Sequence, residues 1–381
     1  MATSSRFLFT NGVISRTSDT PPVSTLLEAH SGAYTTSRTH NNTSCLLFWE
    51  RHLQRLAEST RILYNSKPGF LFKSNKPMPS LLPLSVWDSV IQSLVHDSMN
   101  KAIPIVLNES RSGGELAITT LVSGNFEKLS ENENVDEERI SQILDVYLHV
   151  GSYVPPVFGV RENCAKLAVV GPGRDVAMAK YSDWLRLRKP LEKLRPDLVT
   201  ELLLSNDGDQ ILEGCITNFF VVCRELLKAC LSNFQLAKVA PSVFVNAVAL
   251  PFYEIHFQDS SEVKAKNLHD YGSTSSFEVQ TAPLSDGVLP GIIRQIVIEV
   301  CLSMGIPLRE VAPSWSKCEL WEEAFITNSL RVMQHVETIQ APSSWEQLES
   351  NNWKEVSWEE KRFKEGPGMI TAVIQVILDW H

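Results

Sequence analysis

The sequence predicts an α+β chain in two parts, and three observations carry that prediction. Short strand-like runs meet at tight-turn dipeptides, Asn11-Gly12 and Asp207-Gly208, as antiparallel hairpins do. The stretch FWERHLQRLAESTRILY spaces its apolar residues as an amphipathic helix, and LSVWDSVIQSLVHDSMNKA fits a second helix. The Pro-rich segment VPPVFG, residues 154–159, reads as a linker between domains 1–153 and 160–381.

In chain order, RFLFTNGVIS reads as strand, turn and strand. SGAYTTSRT and TSCLLFWE form two more strands around Asn41-Asn42. The first helix places Leu53, Leu56, Ile62 and Leu63 on one face. After the second helix, GELAITTLVSG and LDVYLHVGSYV read as strands flanking the acidic, solvated NFEKLSENENVDEER. This half is therefore α+β with mainly antiparallel pairing. Beyond the linker come the strand KLAVVG, a helix from Ser182 and the hairpin TELLLSN–DGDQ–ILEGCITNFFVV. Residues from about 224 to 277 follow no clear pattern. A loop that long inside a compact domain is unusual, so the segment reads as an insertion or as foreign sequence that packs poorly. Strands resume at EVQTAPL. In DGVLPGIIRQIVIEVCLSMG a loop leads into a helix with Ile292, Ile293, Ile296, Val297 and Val300 inward, Pro290-Gly291 marking its start. ELWEEAFITNSLRVMQHVETI reads as a strand and loop, and GPGMITAVIQVILDW as a closing helix.

Composition narrows the function classes. The chain has 381 residues, 43% hydrophobic and 21% charged, enough for a full core. Its net charge is −9, with no Lys/Arg-rich run, which argues against a nucleic-acid partner. No apolar run approaches membrane-helix length. Seven cysteines, an odd number with no CxxC pair, suggest free thiols in a reducing compartment, and with no clear targeting segment the cytoplasm is expected. Dinucleotide, P-loop, serine-hydrolase and HExxH motifs are absent, and the nine histidines have no metal-ligand spacing, so no metal site is expected. Gly171-Pro172-Gly173 is too short to define a phosphate loop.

One residue resists a purely structural reading. Glu213 lies in the apolar run ILEGCITNFFVV, and an unpaired carboxylate there costs several kcal/mol, so it needs a cationic partner. The run EGCITNFF resembles the signature of the class IV, or fold-type IV, pyridoxal-phosphate enzymes, which include branched-chain and D-amino acid aminotransferases and aminodeoxychorismate lyase. Further pieces follow in that family's order: FLFTNGVI, GAYTTSR, HLQRL, TAPLSDGVLPGIIR, FITNSLR and FKEGPGMITAVI. The resemblance spans residues 6–380 apart from the 224–277 segment.

The resemblance implies a two-domain D-amino acid aminotransferase-like fold, with an α/β two-layer N-terminal domain and a pseudo-barrel C-terminal domain. It implies pyridoxal 5'-phosphate bound between them, a homodimer, and small-molecule amino acid and 2-oxo acid substrates. Lys180, 33 residues before Glu213 and at the strand-like end VAMAK, is the candidate for the catalytic lysine that carries the cofactor. Glu213 would keep the ring nitrogen protonated, with Asn218 beside it. Arg55 and the backbone N–H groups of Gly291, Ile292 and Ile293 would hold the phosphate, with a hydroxyl of Thr327 or Ser329. Tyr34 and Arg38 would face the substrate. The implied reaction is transfer of an amino group to a 2-oxo acid. The TTSR and TNSLR forms lean toward the lyase branch, and an inactive relative acting as a binding protein is the third reading.

Four departures from the family pattern stand out. Asp183 falls where an Asn or Tyr often meets the ring hydroxyl, and Pro190 must end or kink the helix after Lys180. Ile293 replaces a Thr at the phosphate helix. LVSGNF lacks the Arg with which many relatives read a substrate carboxylate. The 224–277 stretch interrupts a hairpin.

Overall fold

The computed structural model describes residues 6–15, 20–73, 84–109, 114–128, 137–224, 277–350 and 352–379. The expectation of a poorly packed insertion falls almost wholly on residues 225–276 and lies outside them.

Two sheets organise the chain. The first contains β1 (Arg6–Thr10), β2 (Val13–Ile14), β3 (Ala33–His40), β4 (Cys45–Leu46), β5 (Glu115–Gly124) and β6 (Leu144–Tyr153). Its order is β2-β1-β6-β5-β3-β4, antiparallel throughout. Helices α1 (Val23–Ala29), α2 (Trp49–Ser66), α3 (Gly69–Phe72), α4 (Leu84–Glu109) and α5 (Glu137–Ile143) accompany it. Leu53, Leu56 and Leu63 of α2 and Trp87, Ile91 and Val95 of α4 bury their apolar stripes against Phe9, Ile118 and Leu148 of the sheet. This is the expected two-layer half. The short helix α1 was not expected, and α4 runs on through Pro104.

The second sheet contains β7 (Ala165–Gly171), β8 (Glu201–Ser205), β9 (Ile211–Gly214), β10 (Asn218–Arg224), β11 (Phe277–Thr281), β12 (Leu308–Glu310), β13 (Trp321–Asn328), β14 (Val332–Pro342) and β15 (Trp358–Arg362). Six of its strands run β10-β13-β14-β7-β8-β9, and β9 pairs back onto β10, which closes a barrel. The closing register is a single pair, Asn218 opposite Glu213. Helices α6 (Trp184–Leu187), α7 (Lys189–Glu192), α8 (Ile292–Met304) and α9 (Met369–Asp379) complete this part. The face of α8 read from the sequence packs with Phe220, Phe325 and Ile374.

Three local expectations need correction. EGCITNFF is not one strand: residues 215–217 turn the chain between β9 and β10, with the Gly214 N–H donating to the Thr217 carbonyl at 2.9 Å. In one continuous strand, residues five apart face opposite sides; the turn instead makes Glu213 and Asn218 cross-strand neighbours. VAMAK is a turn, not a strand end. The 321–342 stretch is a hairpin of two strands rather than a strand and loop. The helix after Lys180 breaks before Pro190, which occupies the first turn of α7.

Candidate active site

A cavity of about 600 Å³ is lined from both sheets. Lys180 enters it from a turn pinned on three sides. Its N–H donates to the Ser59 hydroxyl of α2 at 3.1 Å, and its carbonyl accepts the Tyr34 N–H of β3 at 2.9 Å. Next door, the Ser182 N–H donates to the Gly32 carbonyl at 2.9 Å. The lysine's position is thus set by the other sheet, not by a strand of its own. Its Nζ lies 4.7 Å from the centroid of the Tyr34 ring. Burial lowers the Lys180 pKa; Tyr34 opposes this, while Arg55 and Arg174 add to it. Burial raises the Tyr34 phenol, but Lys180 and then Arg188 outweigh it and bring it down.

Glu213 has a cation within the chain that sequence reading passed over. Arg174 grips Oε1 through Nε at 3.0 Å and Nη2 at 2.5 Å. The Leu289 N–H donates to Oε2 at 3.0 Å, and Asn218 Nδ2 approaches the same oxygen at 3.3 Å. Asn218 Nδ2 also donates to the Leu289 carbonyl at 3.0 Å, so it braces both carboxylate and loop. Burial pushes the Glu213 carboxyl above the ordinary glutamate range, while Arg174 and the Leu289 N–H pull against it. A guanidinium at hydrogen-bond distance on two nitrogens favours its ionised form. Arg174 lies over the Trp184 ring, 5.6 Å from its centroid, and Trp184 Nε1 donates to the Cys215 carbonyl at 2.7 Å. The signal for Arg174 was the requirement that a buried carboxylate be paired; Arg174 directly follows the Gly171-Pro172-Gly173 turn set aside above.

At the other end lies a cradle for an anion. Arg55 Nη2 donates to the Thr35 hydroxyl at 2.8 Å, and Thr35 Oγ1 lies 2.6 Å from His52 Nδ1. Burial, then the Arg55 charge, holds His52 well below its usual range, so the ring is neutral and its tautomer sets which of Thr35 Oγ1 and Nδ1 donates. Burial lowers the Arg55 guanidinium to about 10. Its Nε and the Thr327 hydroxyl are buried without a hydrogen-bond partner. The N-terminus of α8 completes the cradle with the N–H groups of Ile292 and Ile293, which have no intrahelical acceptor. Gly291 is corrected here: its N–H donates to the Leu289 carbonyl at 2.7 Å and is not available to a ligand. Gly291 instead provides room, since a Cβ there would collide with Asn218 Oδ1. Arg51 and Glu299 tie α2 to α8 through two bonds of 2.8 Å.

Ten of the eleven residues singled out in the sequence line this cavity: Tyr34, Arg55, Lys180, Glu213, Asn218, Gly291, Ile292, Ile293, Thr327 and Ser329. Arg38 does not; it is buried further along β3, with Nη1 donating to the Thr39 carbonyl at 3.3 Å, and it is not placed to read a substrate there. Asp183 is also outside the lining, paired with Arg186 at 3.1 Å, so it does not bring an anion to the cavity. Residues not anticipated include Arg174, Trp184, Arg188 and Arg331.

Comparison with known proteins agrees with this geometry. The family model described as amino-transferase class IV matches residues 32–339, and the chain belongs to that pyridoxal-phosphate-dependent enzyme family. No curated protein matches it in a search of sequences. Among solved structures, a branched-chain aminotransferase from Thermoproteus uzoniensis with norvaline aligns at TM-score 0.56 and 16% identity, covering 99% of this chain and 94% of that one. A putative 4-amino-4-deoxychorismate lyase from Legionella pneumophila aligns at 0.53 and 14%, covering 96% of each. The pyridoxal-phosphate-bound form of a hypothetical aminotransferase from Mycobacterium tuberculosis gives 0.55 and 14%, covering 98% of this chain and 97% of that one. At such identities the likeness is one of fold: the α+β, two-part aminotransferase fold with its pseudo-barrel.

Proposed function

We propose that this cavity binds pyridoxal 5'-phosphate and that Lys180 is its anchor and proton carrier in amino-group transfer between an amino acid and a 2-oxo acid. The observation that carries the reading is the convergence of Lys180, the Arg174-braced Glu213 and the Arg55–α8 cradle on one cavity. The donor set fits the cofactor at both ends. Arg55 Nε and Thr327 Oγ1 are buried donors that lack acceptors, as a phosphate cradle requires. Glu213 is a buried carboxylate suited to a protonated ring nitrogen.

When bound, the cofactor supplies an electron sink for the pair left as the α-proton departs. The chain does the rest. Arg55 and the Ile292 and Ile293 N–H groups would hold the phosphate, Thr327 would add a hydroxyl bond, and Ser329 lines the same cavity. Glu213, braced by Arg174, would hold the ring nitrogen's proton. Lys180 Nζ, made easier to deprotonate by burial and by two arginines, takes the α-proton and returns it. Tyr34 sits beneath Nζ and sets its direction. Asn218 keeps Glu213 and the 289 loop in register.

The same reading includes two domains, 1–153 and 160–381, a homodimer and a cytoplasmic location. The strands divide between the two sheets on either side of residues 154–164, and the described cysteines are all free thiols. No described helix is long and apolar enough to cross a membrane. Sedimentation velocity tests the dimer. The test of function is direct: the chain is purified with pyridoxal phosphate, its visible spectrum recorded, and the adduct fixed with borohydride and mapped. Label on Lys180 is the expected result. Label on Lys166 or Lys189, or no visible band, defeats the reading. Lyase chemistry is the alternative favoured by the Thr35-Thr36-Ser37-Arg38 and Thr327–Arg331 sequences; pyruvate release from aminodeoxychorismate without an amino acceptor separates it from transfer.

A further inference from the structure

Arg174 has no regular structure to hold it. It follows Gly171-Pro172-Gly173, and residues 172–174 belong to no helix or strand. Yet its side chain is only 4% exposed and places two nitrogens on one oxygen of Glu213. A long side chain takes one position in a buried wall only where its neighbours fix it. Glu213 is one such neighbour. The other is the face of Trp184, whose ring centroid lies 5.6 Å from the guanidinium carbon. An aromatic face attracts a guanidinium, and more strongly away from water.

The same indole also reaches the chain just beyond the carboxylate. The 215–217 turn sets Glu213 opposite Asn218, and it is bonded from outside itself. The Cys215 N–H donates to the Leu202 carbonyl at 2.9 Å, and the Ile216 N–H to a Glu201 carboxyl oxygen at 3.3 Å. Both of these partners lie on β8, the strand beside β9. The Cys215 carbonyl accepts the Trp184 Nε1–H at 2.7 Å. Trp184 instead belongs to the segment that carries Lys180, a segment tied to β3 where Tyr181 pairs with Ala33. One buried indole therefore touches the cation on Glu213, the turn after Glu213 and the chain of the lysine.

We propose that Trp184 is a positioning residue: its ring holds Arg174 on Glu213, and its N–H ties the 215–217 turn to the lysine segment, so that the carboxylate is fixed before any cofactor arrives. The purpose of this arrangement rests on the proposed cofactor site, but the arrangement itself is tested without cofactor.

The first test is a double-mutant cycle in denaturant unfolding of the cofactor-free chain. In the wild-type background, Glu213→Gln leaves Arg174 buried against a neutral amide. In Trp184→Leu, the freed Arg174 can turn into the cavity. There the same change should raise the unfolding constant about tenfold less. Trp184→Phe, which keeps an aromatic face without the N–H, should retain part of this coupling. Trp87→Leu is the control: it removes a fully buried indole from the core of the first half, and its cost should add to that of Glu213→Gln. A merely structural Trp184 would behave as Trp87 does. Additive costs for Trp184→Leu, or a Phe variant that loses as much coupling as the Leu variant, overturn the proposal. If Trp184→Leu does not fold, Trp184→Met carries the same cycle. The second test is spectral titration with pyridoxal phosphate. Affinity should fall about tenfold in Trp184→Leu and less in Trp184→Phe; unchanged affinity in the Leu variant overturns the positioning role. A wild-type chain that binds no pyridoxal phosphate defeats the cofactor reading, while the unfolding cycle still decides whether Trp184 holds Arg174.

Discussion

The inner end and the mouth of the cavity are built on opposite principles. At the inner end most charges have a partner: Arg174 grips Glu213, Asn218 and Leu289 brace it, and Arg55 is steered by Thr35 and His52. Elsewhere in the wall, Arg188 gives its Nε to Glu192 but keeps Nη1 buried without a partner, and Arg331 donates to the neutral Gln334. A cluster braced around its carboxylate suits a group that stays, because its geometry is fixed before anything binds. A wall that leaves a donor open suits a group that comes and goes, because the ligand completes it. The contrast teaches that one cavity can brace some of its charges within the chain and leave other donors to be completed by what binds.

The comparison can be broken first at the inner end. Lys180→Ala should remove the visible band and reduce turnover by at least about 10³-fold, measured by steady-state assay and spectrum; retention of both would place the chemistry elsewhere. Glu213→Ala should leave Arg174 as an uncompensated buried cation and cost about 3–5 kcal/mol of stability, read by denaturant unfolding. If stability is unchanged, the inner end is not the paired cluster described.

The mouth has a different weakness. Burial pushes Glu201 up to about 7, with Arg331 and Arg188 pulling it down. A folded-state pKa above the unfolded one means that the native state holds the proton longer. Stability is then highest below the unfolded value and declines as pH rises toward 7. Glu201→Gln should therefore be nearly neutral at pH 4 and stabilising by about 3 kcal/mol at pH 8, as thermal unfolding at the two values would show. A smaller effect sharpens the contrast between space and charge. Gly291→Ala, whose Cβ would strike Asn218 Oδ1, should weaken pyridoxal phosphate binding about tenfold, or about 1.4 kcal/mol, in a spectral titration. Smallest of all, the Arg51–Glu299 pair is about one-third exposed, so a double-mutant cycle should give no more than about 1 kcal/mol of coupling.

Much of this was legible in the sequence, for stated reasons. Amphipathic spacing gave α2 and α8, and the Asp207-Gly208 turn gave the β8–β9 hairpin, because periodicity and turn chemistry are local. Ten of the residues that line the cavity followed from the family signature. What stayed hidden depends on tertiary contact. EGCITNFF looks continuous because its turn at 215–217 carries neither Asn-Gly nor Pro. The turn holding Lys180 is set by β3 and α2, more than a hundred residues away in sequence, so VAMAK alone reads as a strand. Arg174, Arg188 and Arg331 share no spacing; only the fold brings them to one wall. Arg38, on β3 like Tyr34, shows the reverse error: it matches the signature, yet the structure leaves it outside the cavity.

The pair that closes the barrel, Asn218 opposite Glu213, is also the pair proposed to support the cofactor. The seam of the barrel and its working surface are thus the same few atoms. A ligand held by Glu213 tightens the last stitch of the architecture, and thermal fraying of that stitch would release the ligand. Amide exchange along β9 and β10 would then follow cofactor occupancy, so that the rate at which the barrel breathes becomes a gauge of whether the enzyme is loaded.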